Sequence, residues 1–114
     1  KFNKFYLTLK NLSKSDQVIE FYVDKNILEN SKYFEKDKKI ILNQSFFNNP
    51  EEIILRSIMQ VIKRISWKKN YPRGKKVNSL IDSIKFSNKN VKLTLSGCII
   101  EKIQDSVIIY PEKR

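Results

Sequence analysis

The spacing of apolar residues predicts helices at the start of the chain. In residues 2–12 the apolar side chains recur at i, i+3 and i+4, which is the spacing of one helix face. A second stripe follows Ser13 and Ser15, either of which fits the cap of a helix start, and extends to about Asn30. This second stripe comprises Val18, Phe21, Tyr22 and Leu28. Because β-branched residues cluster over residues 18–23, a strand is the alternative interpretation there.

A third helix is predicted after Pro50. Proline fits the first turn of a helix, and Glu51 and Glu52 favour the positive end of its dipole. Apolar residues with the helical period predict its buried face: Ile54, Ile58, Val61, Ile62 and Ile65. Basic and polar residues follow the same spacing on the opposite face: Arg56, Gln60, Lys63, Arg64 and Trp67. An ordinary solvated helix face would show the same pattern, so this stripe alone does not identify a binding site.

The rest of the chain predicts one more helix and then short strands. Residues 75–86 carry apolar side chains at i, i+3, i+4 and i+7, the spacing of a helix face. Residues 91–110 alternate between apolar and polar side chains and predict an antiparallel meander of two or three short strands. Residues 40–42 are a separate short strand or extended segment. The predicted fold class is therefore α+β, with three to four helices followed by a small antiparallel sheet.

The length of the chain favours a single domain. Its 114 residues are enough for one modest core. Within this domain, residues 1–45 are expected to form a helical lead-in. Residues 50–86 are expected to form a helix, a basic loop and a second helix, and residues 91–110 the strand meander.

The net charge of +11 is concentrated in the second half of the chain. Residues 1–57 carry ten bases and eight acids, whereas residues 58–114 carry thirteen bases and four acids. A composition rich in Lys and Asn and without Ala is typical of an AT-rich genome, which explains much of the lysine content but not its clustering. Residues 63–76, called here the basic segment, hold seven bases and no acid: Lys63, Arg64, Lys68, Lys69, Arg73, Lys75 and Lys76.

The residue types that are absent or rare exclude whole classes of active site. The chain has no His, which excludes histidine-dependent nucleophiles, acid–base pairs and zinc ligands within it. Its single Cys, Cys98, is expected to be a small buried side chain, and no disulfide within the chain is possible, which fits a reducing cytoplasm. No apolar run approaches the roughly 18 residues of a membrane-spanning helix. The sequence therefore predicts a cytoplasmic protein without a membrane partner, a metal site or a catalytic residue.

The basic segment predicts binding to nucleic acid. It lies between two predicted helices, and its dense positive charge is typical of surfaces that contact phosphates. RNA helices are recognised mainly through phosphates, 2′-hydroxyls and shape, which suits such a loop. Trp67 and Tyr71 lie within the segment, where aromatic rings are able to stack on bases. The alternative for Trp67 is that its ring caps the core.

Four short motifs occur in order over about residues 50–112. They are Leu55-Arg56 in an apolar helix, Tyr71-Pro72-Arg73, an apolar helix at residues 80–84, and Thr94-Leu95-Ser96-Gly97-Cys98 before a strand. In this order they resemble the region that follows the catalytic domain in bacterial tRNA(Ile)-lysidine synthetases. Ser96 stands where that family usually has glycine. The family's closing Arg-Glu appears here only as Tyr110-Pro111-Glu112.

The resemblance implies that the parent protein is an ATP-dependent ligase that joins lysine to the wobble cytidine of an isoleucine tRNA. ATP and Mg²⁺ would bind an upstream domain carrying a Ser-Gly-Gly-x-Asp-Ser loop, which this chain does not contain. The chain also begins without Met and is expected to be a piece of a longer protein. Its own role would be to hold tRNA, without a cofactor, and its partners would be tRNA and the upstream catalytic domain.

The expected tRNA-binding residues combine the family motifs with the basic segment. The resemblance carries over Arg56 and Arg73, and the remaining candidates surround them: Lys63, Arg64, Lys68, Lys69, Tyr71, Lys75 and Lys76. Two alternative functions fit the same residues. One is a stand-alone RNA- or DNA-binding module without catalysis. The other is a basic domain that binds a protein or an anionic membrane.

Overall fold

The structure describes most of the predicted elements. A computed structural model gives residues 12–66, 74–87 and 89–112, with side chains from residue 16 onward. The helix predicted over residues 2–12 lies outside the described residues apart from its last position. Residues 67–73, the central part of the basic segment, also lie outside them.

The helix predicted to end near Asn30 is confirmed as α1 (Leu12–Asn30), so the strand alternative is wrong. Its buried face, however, differs from the predicted stripe. Phe21 is 62% exposed and Leu28 is 82% exposed, whereas Val23 and Asn26 are buried. The helix is therefore rotated so that Val23 and the polar Asn26, rather than the predicted apolar stripe, face the core.

Hydrogen bonds explain why Asn26 faces inward. Its side-chain N–H donates to Ser57 Oγ at 3.1 Å and to the Phe46 carbonyl at 3.3 Å. Its Oδ1 accepts hydrogen bonds from the amides of Asn30 at 2.8 Å and Asn49 at 3.1 Å. Since a buried amide costs little free energy once it is paired, this network fixes an orientation that apolar spacing does not predict.

The two later helices form as their apolar spacing predicts. α2 (Glu51–Ile65) begins directly after Pro50, which has an extended backbone conformation and therefore precedes the first helical residue. α3 (Gly74–Phe86) follows the basic segment. Their buried apolar residues include all the predicted ones: Ile54, Ile58, Val61, Ile62 and Ile65 in α2, and Val77, Leu80, Ile81 and Ile84 in α3. A 3-10 helix (Gln44–Phe47) precedes α2 and buries Phe46.

The strands form one antiparallel sheet in the order β1-β2-β5-β4-β3. Its strands are β1 (Ser31–Phe34), β2 (Lys39–Leu42), β3 (Val91–Leu95), β4 (Cys98–Ile103) and β5 (Ser106–Pro111). The predicted α+β class is confirmed, although five strands are present in the described ranges rather than two or three. The short strand predicted at residues 40–42 is β2, which joins the C-terminal meander by pairing with β5. β1 was not predicted.

α2 and α3 pack on one face of the sheet, whereas α1 packs on α2. The sheet residues on this face belong to the same buried cluster as α2 and α3: Ile40, Leu42, Cys98, Ile100, Val107 and Ile109. α2 packs on the central strands β2 and β5, whereas α3 packs on the edge strand β3. The two helices therefore pack on different strands, although only residues 66–73 separate them in sequence.

Candidate nucleic-acid interface

Five candidate RNA-binding residues lie in the described part of the chain: Arg56, Lys63, Arg64, Lys75 and Lys76. The other four, Lys68, Lys69, Tyr71 and Arg73, lie outside the described residues, as does Trp67. The structure therefore locates the described residues on either side of residues 67–73. They are Ser66, the residue that caps the C-terminus of α2, and Gly74, the first residue of α3.

Ser66 lies beside the turn between β3 and β4. Its backbone N–H donates to the Ile62 carbonyl at 2.7 Å, and its hydroxyl donates to the Ser96 carbonyl. The next turn residue, Gly97, accepts a hydrogen bond at 2.8 Å from the N–H of Glu112, at the end of β5. The end of α2, the β3–β4 turn and the end of β5 thus meet at one place, called here the Ser66 corner (Ser66, Ser96, Gly97 and Glu112).

The β3–β4 turn has left-handed backbone geometry at both central positions. The φ angle is 51° at Ser96 and 81° at Gly97. Tight two-residue hairpins with positive φ at both positions match the twist of the strands, and glycine adopts this conformation without steric cost. Ser96 therefore adopts a conformation that favours glycine.

Lys75 and Lys76 lie on the rim of a groove between α3 and the edge strand β3. The groove has a volume of about 550 Å³ and an apolar floor that includes Leu80 and Leu93. Side chains with hydrogen-bond donors surround it: Lys75, Lys76, Ser79, Ser83 and Thr94. Ammonium and hydroxyl groups are common phosphate ligands, and the N-terminus of α3 adds a positive partial charge beside the lysines. This groove is therefore suited to a nucleic-acid backbone.

The predicted polar stripe of α2 is solvent-exposed at Arg56, Lys63 and Arg64. Arg56 is not free to bind phosphate with its full charge, because its Nε donates to Glu52 Oε2 at 2.6 Å. Both side chains are exposed, and they lie one helical turn apart, as i,i+4 ion pairs do. Lys63 lies in the last turn of α2 and faces solvent.

Arg64 points towards the opposite edge of the sheet. Its guanidinium lies 4.7 Å from the ring centre of Tyr33, on the edge strand β1. Lys75 and Lys76 line the groove along the other edge strand, β3. At about 4.8 Å between strands, the two edges of a five-stranded sheet are roughly 19 Å apart. Among the described candidates, Arg64 therefore lies towards one edge of the sheet, and Lys75 and Lys76 lie along the other.

The excess positive charge is concentrated outside the described ranges. Residues 1–11, 67–73 and 113–114 carry eight of the 23 basic residues and none of the 12 acids. Within residues 12–66, 74–87 and 89–112, bases and acids are nearly balanced. Residues 67–73 and 113–114 both adjoin the Ser66 corner, since one follows Ser66 and the other follows Glu112. The Ser66 corner is therefore the place where the most uncompensated positive charge joins the described body.

The described residues offer binding groups rather than reactive ones. Cys98 is fully buried, as expected, and its thiol lies 3.6 Å from the Ile62 carbonyl. Burial raises the pKa of the Cys98 thiol to about 11, and the nearby Glu112 charge acts in the same direction, while a hydrogen bond with Ser66 opposes them. No group of three or more metal-ligating side chains occurs in the described ranges. A thiol protonated at neutral pH is a poor nucleophile.

One feature of the site was not predicted from sequence, namely a second groove that Tyr33 and Arg64 line together. Tyr33 belongs to a strand of four residues, which is too short for its alternation to be recognised beside the charged residues that follow. The arginine that contacts it was among the candidates, but its aromatic partner was not.

Among the described helices, none is long and apolar enough to cross a membrane.

Comparison with known proteins leaves the family resemblance as a sequence-based hypothesis. No family model, curated protein or solved structure matches this chain significantly.

Proposed function

We propose that this chain is the tRNA-binding segment of an ATP-dependent ligase that attaches lysine to the wobble cytidine of an isoleucine tRNA. The observation that carries the proposal is the Ser66 corner. Two motif regions on which the resemblance rests are the segment containing Tyr71-Pro72-Arg73 and the strand turn Thr94–Cys98. Ser66, the last described residue before Tyr71-Pro72-Arg73, donates a hydrogen bond to Ser96 in the strand turn.

The distribution of charge supports a grip on RNA phosphates. The basic segment begins at α2 and ends in the first turn of α3, where Lys75 and Lys76 line the groove along β3. Residues 67–73 add three further cations without an acid. If about five phosphates are engaged, the logarithm of the affinity should fall with the logarithm of salt concentration with a slope of roughly −3.5 to −4.5.

Catalysis belongs to another part of the parent enzyme in this proposal. The chain has two glycines, Gly74 and Gly97, and they are too far apart in sequence to form a phosphate-cradling loop. Binding of ATP and Mg²⁺ is therefore assigned to the upstream catalytic domain. The role of this chain is to hold the tRNA body while the anticodon loop reaches that domain.

A matched pair of triple variants tests the proposal. Lys68→Ala with Lys69→Ala and Arg73→Ala removes three cations from the basic segment, and we expect weaker tRNA binding and a smaller salt slope. Lys25→Ala with Lys36→Ala and Lys89→Ala removes the same charge from exposed sites elsewhere, and its effect should be much smaller. Affinity is measured by fluorescence anisotropy at several salt concentrations, and circular dichroism checks that each variant is folded.

Two results would contradict the proposal. Equal loss of affinity in the two triple variants would mean that net charge, and not the basic segment, governs binding. Equal salt-sensitive affinity of the wild-type chain for tRNA and for anionic vesicles of phosphatidylserine would favour a general anion-binding surface instead.

A further inference from the structure

A second groove lies between α1, the β1–β2 hairpin and α2. It has a volume of about 400 Å³, within the range of sites that hold small organic groups. Its apolar wall includes Ile27, Ile40 and Val61, and its polar rim is formed by Asp24, Gln60 and Arg64. This groove is on the side of the molecule opposite the β3 edge, so it is separate from the groove that Lys75 and Lys76 line.

An arginine and a tyrosine form one end of the groove. The Arg64 guanidinium lies over the Tyr33 ring at 4.7 Å from its centre, and Tyr33 is 37% exposed. Guanidinium planes and tyrosine rings are the two kinds of surface on which proteins commonly stack unpaired bases. Because the two groups already contact each other, the stacking surface is formed before any ligand arrives.

Two polar groups on the rim have no hydrogen-bond partner among the described residues. They are the side chains of Asp24 and Gln60, whereas the hydroxyl of Ser31, which also lines the groove, donates to the Ile27 carbonyl. The amide of Gln60 offers a donor and an acceptor, and the carboxylate of Asp24 offers acceptors only. These acceptors and the amide donor match the edge of a base that carries N–H groups. A carboxylate would repel a phosphate in the same place, so charge favours a base here.

We propose that this groove binds one unpaired nucleobase of the bound RNA. The base stacks on the Tyr33–Arg64 pair, and its polar edge faces Gln60 and Asp24. This inference rests on the proposed function, because it assumes that RNA is the ligand. It adds a contact that reads an exposed base, roughly 19 Å across the sheet from the groove that Lys75 and Lys76 line.

The test compares two RNAs with equal numbers of phosphates, a hairpin with an unpaired loop and a blunt duplex. Tyr33→Leu keeps an apolar side chain but removes the stacking ring, and we expect it to weaken hairpin binding about five- to 100-fold, as loss of one stacked base does. Duplex binding should change by less than about twofold. Tyr22→Leu is the matched control, because Tyr22 is 38% exposed and lies outside the groove.

The possible outcomes separate this inference from the proposed function. If the wild-type chain binds neither RNA, the proposed function fails and the base site fails with it. If the wild type binds the hairpin and Tyr33→Leu binds it equally well, only the base site is overturned. A free nucleoside monophosphate tests whether the bound base must belong to RNA. If Tyr33→Leu weakens binding of the free nucleotide but leaves binding of the hairpin unchanged, the assignment to RNA is also overturned.

Discussion

The Ser66 hydroxyl donates a hydrogen bond to the Ser96 carbonyl, which joins two residues that are 30 positions apart in the chain. The bond attaches the end of α2 to the β3–β4 turn. Ser96 has a φ of 51°, so the direction of its carbonyl depends on a left-handed backbone conformation that serine adopts only at a cost. A residue with strained geometry therefore accepts the hydrogen bond that holds Ser66, the last described residue before residues 67–73.

Replacing Ser96 by glycine should stabilise the fold. The left-handed conformation costs a non-glycine residue about 1–2 kcal/mol, and the greater freedom of unfolded glycine offsets about 0.5–1 kcal/mol of the gain. We expect the free energy of unfolding of Ser96→Gly to rise by about 0.5–1 kcal/mol, measured by urea denaturation. The control is Ser83→Gly in α3, where glycine should lower stability. A decrease in both variants would contradict the strain at Ser96.

The sequence was sufficient to predict the elements whose apolar spacing is long and regular. α2 repeats a helical stripe over about three turns and α3 over about two, and their buried faces are confirmed residue by residue. α1 was predicted as a helix but with the wrong face. Apolar spacing could not reveal that Asn26 would be buried, because its burial depends on hydrogen bonds to groups at least 20 residues away, such as the Phe46 carbonyl and Ser57.

The arrangement of the candidate cations could not be predicted for a related reason. Arg64 and Lys75 both belong to the basic segment, which suggests one patch. The helices that carry them pack on different strands, so Arg64 faces β1 while Lys75 lies along β3. The strand on which a helix packs depends on the order of the strands in the sheet. Apolar spacing does not predict that order, because the pairing of β2 with β5 joins segments that are more than 60 residues apart.

Lys102 should contribute to stability rather than to RNA binding. Its ammonium donates to the carbonyls of Ile84 at 2.7 Å and Ser87 at 2.8 Å, at the C-terminal end of α3. A cation there satisfies helix carbonyls and interacts favourably with the dipole. Lys102→Met keeps the aliphatic stem but should lower the free energy of unfolding by about 2 kcal/mol, measured by thermal denaturation. Lys92→Met on the exposed edge strand is the control. Equal small effects in both variants would contradict the capping role.

The raised pKa of Cys98 predicts a loss of stability at high pH. Burial favours the neutral thiol and moves its pKa from the ordinary 9.0 to about 11. The stabilisation is therefore fully present below about pH 9, the pKa of the unfolded thiol, and is lost as the pH rises through the folded pKa. The difference in unfolding free energy between wild type and Cys98→Ala should shrink between pH 8.5 and 11.

The native thiol should also react slowly with a thiol reagent at pH 8 and rapidly after unfolding. A fast native reaction would show that the thiol is accessible.

The ion pair between Arg56 and Glu52 predicts that substitution of the arginine changes tRNA affinity less than substitution of the glutamate does. Because the carboxylate lies 2.6 Å from the guanidinium, Arg56→Gln removes a cation that is already largely neutralised. We expect it to weaken binding by less than about twofold, whereas Lys75→Gln should have a larger effect. Glu52→Gln releases Arg56 and should strengthen binding about two- to fivefold at low salt, an effect that screening reduces at high salt.

Glu51→Gln makes the same change in net charge without breaking this ion pair. An equal gain in Glu51→Gln and Glu52→Gln would show that binding responds to total charge, and that Arg56 does not contact the RNA.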